Sequence, residues 1–410
     1  MKIAILSQWY FPEPGGAVVP SVLARSLAQR GHEVQVLTGF PNYPSGRVAP
    51  GYQMERRLDE RDAHNVNIRR VALYPDHGKS ALRRGTNYLS FALSASANGL
   101  SLLRKSDVVW VYNSPATIGL PSMLASAVGG PPHLMHVMDL WPDSVFVGGF
   151  GVGRSHKLIS RLIGTWCDLT YKSASAIACT SKGIANVLSE RGVPNEKLFH
   201  IPVWTDEDIY FERPYGEELA DSLGVKEKFV VLYAGALGNA QGLSGLLEVC
   251  QRLQDLPHLQ MLIAGSGTGE RDLRNLASSM KISNIRFLGQ WPTEDMGRLI
   301  SISDVNLVSL NADLLSTITI PSKLVSILAS GRPVIAWADG ELADIVNESG
   351  AGLIAKAGDV NELEHAIRQM CSGGESYIRR FGKMGRIYYD QRLSLETGVD
   401  SVERLLSQIA

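Results

Sequence analysis

The sequence predicts an α/β protein built from two doubly wound sheets facing a cleft, and three observations carry that expectation. The chain has 410 residues, more than one hydrophobic core ordinarily serves. Short apolar runs alternate with helical stretches along nearly all of it, the pattern of a parallel sheet covered on both faces. The alternation breaks at Pro202–Pro214, a polar, aromatic and acidic stretch without periodicity that reads as a linker.

Ile3–Leu6 is the opening strand. A helix follows with Val19, Val22, Leu23 and Leu27 on one face, capped by Gly31, and Val34–Leu37 is the next strand. Further strands are expected at Val108–Val111, Leu134–Val137, Ala176–Cys179 and Leu198–Ile201. A second series runs through Phe229–Tyr233, Gln260–Ile263, Ile285–Leu288, Val305–Val308 and Pro333–Ala336. From Tyr377 to Ala410 the tail is helical, able to pack on its own domain or to cross back to the first. Ligands of open α/β sheets bind beyond the carboxyl ends of the strands, so the loops there are the candidates.

Composition narrows the function classes. Lys and Arg number 40 against 41 Asp and Glu, which gives no global field for nucleic acid. Cys167, Cys179, Cys250 and Cys371 lie far apart, against both a disulfide framework and a structural zinc. The opening apolar run is too short for a signal peptide, and no stretch is long enough to cross a bilayer. A reduced, cytoplasmic protein is expected.

Five loops can carry chemistry. In Trp9–Gly16, Gly15 and Gly16 precede a helix whose N-terminus can face an anion, although a plain βα turn reads equally well. Gly235, Gly238, Asn239 and Gln241 follow the first strand of the second series and suit close approach to a phosphate. Gly265 opens Gly-Ser-Gly-Thr-Gly, better read as a βα turn near the cleft than as a dinucleotide fingerprint, and Gly289 ends the next strand. Pro321, Ser322 and Lys323 start a short helix that Gly331 ends; its N–H donors, hydroxyl and ammonium would clamp a diphosphate. Asp139, in Met-Asp-Leu-Trp-Pro-Asp, can hold sugar hydroxyls or cap a helix, whereas His136 reads as buried structure. Separately, Arg69, Arg70, Lys79, Arg83 and Arg84 accompany Leu82, Tyr88, Leu89 and Phe91, a mixture that can seat a protein on an anionic membrane or pack on a sheet.

Taken in order, Phe11–Gly16, Asp139–Ser144, Thr180–Gly183, Ile201–Asp206, Tyr233–Gly235, Pro321–Lys323 and Ala329–Ala336 resemble the retaining family 4 glycosyltransferases of GT-B fold, over essentially the whole chain. The Asp-Leu-Trp-Pro and Pro-Ser-Lys versions are similar to a subgroup that builds cell-surface polysaccharides, including enzymes for N-acetylfucosamine-type sugars. The resemblance implies two Rossmann-like domains. Residues 1–203, joined by a C-terminal helix of about residues 390–410 crossing back, would bind the acceptor, and residues 208–388 the donor. It implies a catalytic role for Asp139 and donor contacts from Gly15, Gly16, Gly235, Gly238, Asn239, Gln241, Gly265, Gly289, Pro321, Ser322, Lys323 and Ser326. The family's two glutamates are replaced by Ile318 and Ser326, and its phosphate-site Arg and Lys fall near Ala236 and Gln241, which leaves Lys323 as the cation.

The reaction implied by the resemblance is transfer from a nucleotide-diphosphate sugar, a UDP-sugar by expectation, with retained configuration and no metal or other cofactor. The acceptor would be a glycan, a lipid-linked sugar or a small molecule, with peripheral contact to the inner face of the membrane through residues 69–91. Three alternatives stay open: a secondary-metabolite glycosyltransferase, a non-hydrolysing sugar-nucleotide epimerase, and an inactive nucleotide-sugar-binding partner.

Overall fold

The computed structural model describes residues 1–78, 80–147, 156–238 and 241–410. Lys79 and Asn239 lie outside the described residues. The chain divides into two compact units, one of Met1–Pro202 with Gly398–Ala410 and one of Val203–Thr397.

The first unit contains strands β1 (Lys2–Leu6), β2 (Glu33–Gly39), β3 (Arg57–Arg61), β4 (Asn67–Val71), β5 (Val108–Asn113), β6 (His133–Val137), β7 (Ala176–Cys179) and β8 (Leu198–His200). Its helices are α1 (Val18–Gln29), α2 (Ala81–Arg104), α3 (Gly119–Ala127), α4 (Asp143–Val147), α5 (His156–Ser173) and α6 (Lys182–Glu190). The sheet order is β3-β4-β2-β1-β5-β6-β7-β8, parallel except for β3 against β4. Phe91, Ala95 and Leu103 of α2 and Ala125 of α3 pack with Leu6, Leu37 and Val109 of the sheet. Each fully buried leucine or phenylalanine there contributes roughly 1.5–3 kcal/mol.

The second unit contains α7 (Glu217–Ser222), β9 (Phe229–Ala234), α8 (Ser244–Arg252), β10 (Leu259–Ala264), α9 (Glu270–Ser279), β11 (Ile285–Gly289), α10 (Met296–Ser301) and β12 (Val305–Ser309). It continues with α11 (Leu314–Ile318), α12 (Ser322–Ala329), β13 (Val334–Trp337), α13 (Glu341–Ser349), β14 (Gly352–Ala355), α14 (Val360–Ser372) and α15 (Gly374–Arg392). The sheet order is β11-β10-β9-β12-β13-β14, all parallel. Its inner strands are buried on both faces: in β9, Val231 and Tyr233 pack with α8 and α14, while Val230 and Leu232 pack with α7 and α10. This double burial is why the strands read as unbroken apolar runs instead of alternating ones.

Helix α16 (Leu395–Ile409) starts in the second unit and ends in the first. At its start the Leu395 N–H donates to Glu207 at 2.9 Å, and further on Glu403 receives Arg30 at 2.5 Å and His32 at 2.7 Å.

Candidate functional site

Strand register brings three candidate loops of the second unit together. Ala264 of β10 lies opposite Ala234 of β9 and Gly289 of β11, so Gly235, Gly265 and Gly289 stand at one edge of the sheet. The loops are zipped: Gly235 N–H donates to Ala264 O at 2.9 Å, Gly265 N–H to Gly289 O at 2.7 Å, and Leu237 N–H to Ser266 O at 3.0 Å. Gly265 has φ +140°, and a Cβ there would lie 1.8 Å from Gly235 O; at Gly267 it would lie 2.4 Å from Leu237 O. These glycines are required by backbone on backbone, which is the βα-turn role expected of Gly265. The Gly238 N–H is also engaged, donating to Gln241 Oε1 at 3.1 Å, while Ser309 Oγ donates to Gln241 O at 2.5 Å. Donors at Gly235, Gly238 and Gly265 are therefore spent within the chain, and the shelf offers shape more than free N–H groups.

The charge on this shelf comes from α12. Pro321 is its N-cap, Ser322 is exposed in the first turn, and Gly331 at φ +62° follows its last turn. Lys323 extends from that first turn to Tyr233 at the end of β9: Nζ donates to Tyr233 Oη at 3.1 Å and lies 4.4 Å from the centre of its ring. A Cβ on Gly235 would come within 2.9 Å of the same Nζ. The Tyr233 hydroxyl in turn donates to Ala236 O at 2.7 Å. Burial pulls Lys323 down from 10.5 to about 8, because no carboxylate compensates the ammonium. A cation held over glycine backbone at a helix N-terminus has the charge and shape to receive an anion. Tyr233 entered the sequence reading as the end of a strand and the start of Tyr-Ala-Gly, not as a site residue; its platform role depends on a partner 90 residues away.

Ser326, one turn further along α12, points elsewhere. It is buried, its hydroxyl lies 2.8 Å from that of Thr205, and it donates to Ser322 O at 3.3 Å. It ties the linker to α12. Ile318 ends α11.

In the first unit Asp139 follows β6 in a pocket of about 200 Å³ shared with Trp9, Arg84, Tyr88, Ser114 and Trp141. Ser114 Oγ donates to Asp139 Oδ2 at 2.5 Å. The carboxyl meets solvent at the pocket mouth, yet the surrounding protein desolvates it and raises its pKa, partly offset by Ser114. Trp9 meets Tyr88 edge-on at 6.3 Å, and Tyr88 meets Trp141 at 6.3 Å. Aromatic rings beside a carboxylate and a guanidinium suit a ligand with apolar faces and many hydroxyls. Of these residues only Asp139 was read from the sequence as a site residue, since Trp9, Ser114 and Trp141 gain a role through convergence alone.

Gly15 and Gly16 lie at the entry to α1, where a Cβ on Gly15 would be 3.6 Å from Tyr43 and one on Gly16 3.3 Å from the Tyr112 hydroxyl. Buried Glu13 beside them accepts the N–H groups of Asn42 at 2.7 Å and Tyr43 at 2.8 Å, so the loop is fixed from within. His136 is buried, with Nε2 2.9 Å from Ile201 O, and burial brings it to about 4; it is structural. Among the described residues, no group of three or more His, Cys, Asp or Glu is arranged to hold a metal ion.

The basic-apolar segment needs correcting. Arg70 is wholly buried, bonded to Glu60 at 2.6 Å and to Phe11 O at 2.6 Å, and Arg69 pairs with Asp59 at 2.7 Å. Neither is available to a lipid surface, because β4 lies inside the sheet, between β3 and β2. On α2, in contrast, Leu82 is 81% exposed, with Leu89 and Leu93 also outward, and Arg83 is exposed beside them. No helix among the described residues is long and apolar enough to cross a membrane.

Two Rossmann-like units with glycine loops at their strand ends are the architecture of the GT-B fold. Residues 15–204 match the model of the glycosyl transferase 4-like domain and residues 216–387 that of glycosyl transferases group 1. The two models cover one unit each, and the chain is a glycosyltransferase. It is 27% identical over 379 residues to WcaI of Escherichia coli K12, a glycosyl transferase assigned to colanic acid biosynthesis, covering 90% of this chain and 92% of that one. Its fold is similar to Anabaena Alr3699/HepE, solved with UDP, at TM-score 0.73, 18% identity and full coverage of both chains. WaaG, involved in lipopolysaccharide biosynthesis, aligns at TM-score 0.71 and 16% identity over 98% of this chain and 99% of that one.

Proposed function

We propose that the protein transfers a sugar, with retention of configuration, from a UDP-sugar to an acceptor in surface-polysaccharide biosynthesis. The observation that carries this reading is Lys323, an ammonium without a carboxylate partner among the described residues, over the glycine shelf at the start of α12. In this reading the diphosphate takes the place of the missing counter-ion, with the exposed Ser322 as a further donor. The acceptor hydroxyl bonds to the anomeric carbon as the bond to the diphosphate breaks, and its proton passes to the departing phosphate oxygen. The protein's contribution is then positioning and stabilisation of the leaving charge, with no protein nucleophile. Asp139 and the rings around it hold the acceptor. WcaI favours a polysaccharide product and the UDP complex of HepE favours the uridine donor.

The outward leucines of α2, with Arg83 beside them, favour a lipid-linked acceptor met at an anionic membrane surface. Incubation with a panel of nucleotide sugars and lipid-linked acceptors tests the proposal. Release of UDP with an α-configured product from an α-linked donor is expected. Release from other nucleotides only, or an inverted product, refutes it. Flotation with anionic vesicles should carry the protein up, and Leu89→Glu with Leu93→Glu should leave it in the soluble fraction.

A further inference from the structure

A second charged cavity lies at the other end of α12. It has a volume of about 610 Å³ and is walled by Glu212 and Arg213 of the linker, Arg332 from the turn into β13, and Arg379, Lys383 and Arg386 of α15. Two of these cations are matched locally, Arg379 by Glu375 and Arg386 by Asp390. The other three have no ion pair among the described residues. Arg332 donates to the carbonyl oxygens of Ser301 at 2.7 Å and Arg213 at 3.3 Å, groups that satisfy its N–H donors without cancelling its charge. Arg213 donates to Ile209 O at 3.4 Å, lies 3.8 Å over the Phe211 ring, and keeps a buried Nε with no hydrogen-bond partner. Lys383 is exposed at the rim. Setting the five cations against Glu212, Glu375, Asp390 and Asp304, whose charge acts on Arg332, leaves one positive charge in excess.

Guanidinium groups brought together with fewer carboxylates than cations repel one another, and the repulsion is relieved by a multiply charged oxyanion that accepts from several forks at once. Burial also lowers Arg332 from its ordinary value, the direction expected where compensation is incomplete. We propose that this pocket binds a phosphorylated small molecule. It is separate from the Lys323 end, since the whole of α12 lies between them. The proposal stands on these residues alone and does not depend on the donor assignment.

Calorimetry of the full chain with inorganic pyrophosphate tests it, using the unaltered protein, Lys323→Met, Lys383→Glu, and Lys383→Glu combined with Arg213→Gln. A binding event should survive Lys323→Met, weaken severalfold in Lys383→Glu, and weaken by about tenfold or more in the double variant. Lys383 is exposed, so its replacement tests charge without disturbing the core. Absence of binding to the unaltered protein overturns the proposal. So does loss of all binding in Lys323→Met, or an affinity within about twofold in both Lys383 variants.

Discussion

Lys323→Met removes an ammonium while keeping a side chain of similar length, and the structure predicts opposite effects on stability and on binding. The drop from 10.5 to about 8 caps the cost of keeping this group charged in the folded chain at about 3 kcal/mol. Partial exposure and the Tyr233 ring 4.4 Å away offset part of that, leaving a cost of about 1–2 kcal/mol. Methionine should therefore raise stability by about that amount at pH 7. Linkage sets the pH dependence. Below about pH 8 the group is protonated both folded and unfolded, and the cost is present in full. Between about 8 and 10.5 only the unfolded chain holds the proton, so the unaltered protein gains stability as pH rises and the variant's advantage shrinks. UDP binding should move the other way, weakening by about 1–3 kcal/mol, the scale of hydrogen bonds to a charged group. Denaturant unfolding from pH 6 to 10, with calorimetry against UDP, measures both. Unchanged UDP affinity removes Lys323 from the donor site, and a variant less stable than the parent refutes the desolvation argument.

Asp139→Asn should abolish most transfer and remove the acid limb of the kcat/KM profile, a limb displaced upward from the ordinary aspartate range because the surrounding protein partly desolvates this carboxyl; an unaltered limb would assign it to another group. Gly265→Ala forces a Cβ to 1.8 Å from Gly235 O, so a loss of about 1–3 kcal/mol with weakened UDP binding is expected, read by chemical unfolding and calorimetry. Arg70→Met strands Glu60 and the Phe11 carbonyl and should cost about 2–4 kcal/mol while leaving vesicle flotation unchanged, whereas lost flotation in a folded variant would restore Arg70 to the membrane surface.

The regular elements were legible in the sequence where burial and periodicity agree. β7 coincides with the apolar run Ala176–Cys179, and β9, β10, β11 and β12 each extend the expected strand by a residue or two; the runs are plainest in β7 and β9, where cover on both faces favours apolar residues. The helix of α12 was marked by its proline start and glycine end. β3, β4 and β14 were not legible; β4, Asn-Ile-Arg-Arg-Val, reads as part of the basic-apolar segment. β3 reads Arg-Leu-Asp-Glu-Arg at the sheet edge, where charge is tolerated, and half-exposed β14 has four residues.

The sequence by itself determined which loops end the strands and which residue types stand there, since both are local properties. Only the tertiary structure decided what those residues do. Gly265 serves the backbone of Gly235, Ser326 serves Thr205, and Arg70, which reads as a surface charge, is sealed inside by Glu60 and two carbonyl oxygens. Lys323 acquires its lowered pKa from burial against Gly235 at the end of β9, far away in the sequence. Desolvation and pairing depend on neighbours brought from distant parts of the chain, and no local pattern encodes which neighbours those are.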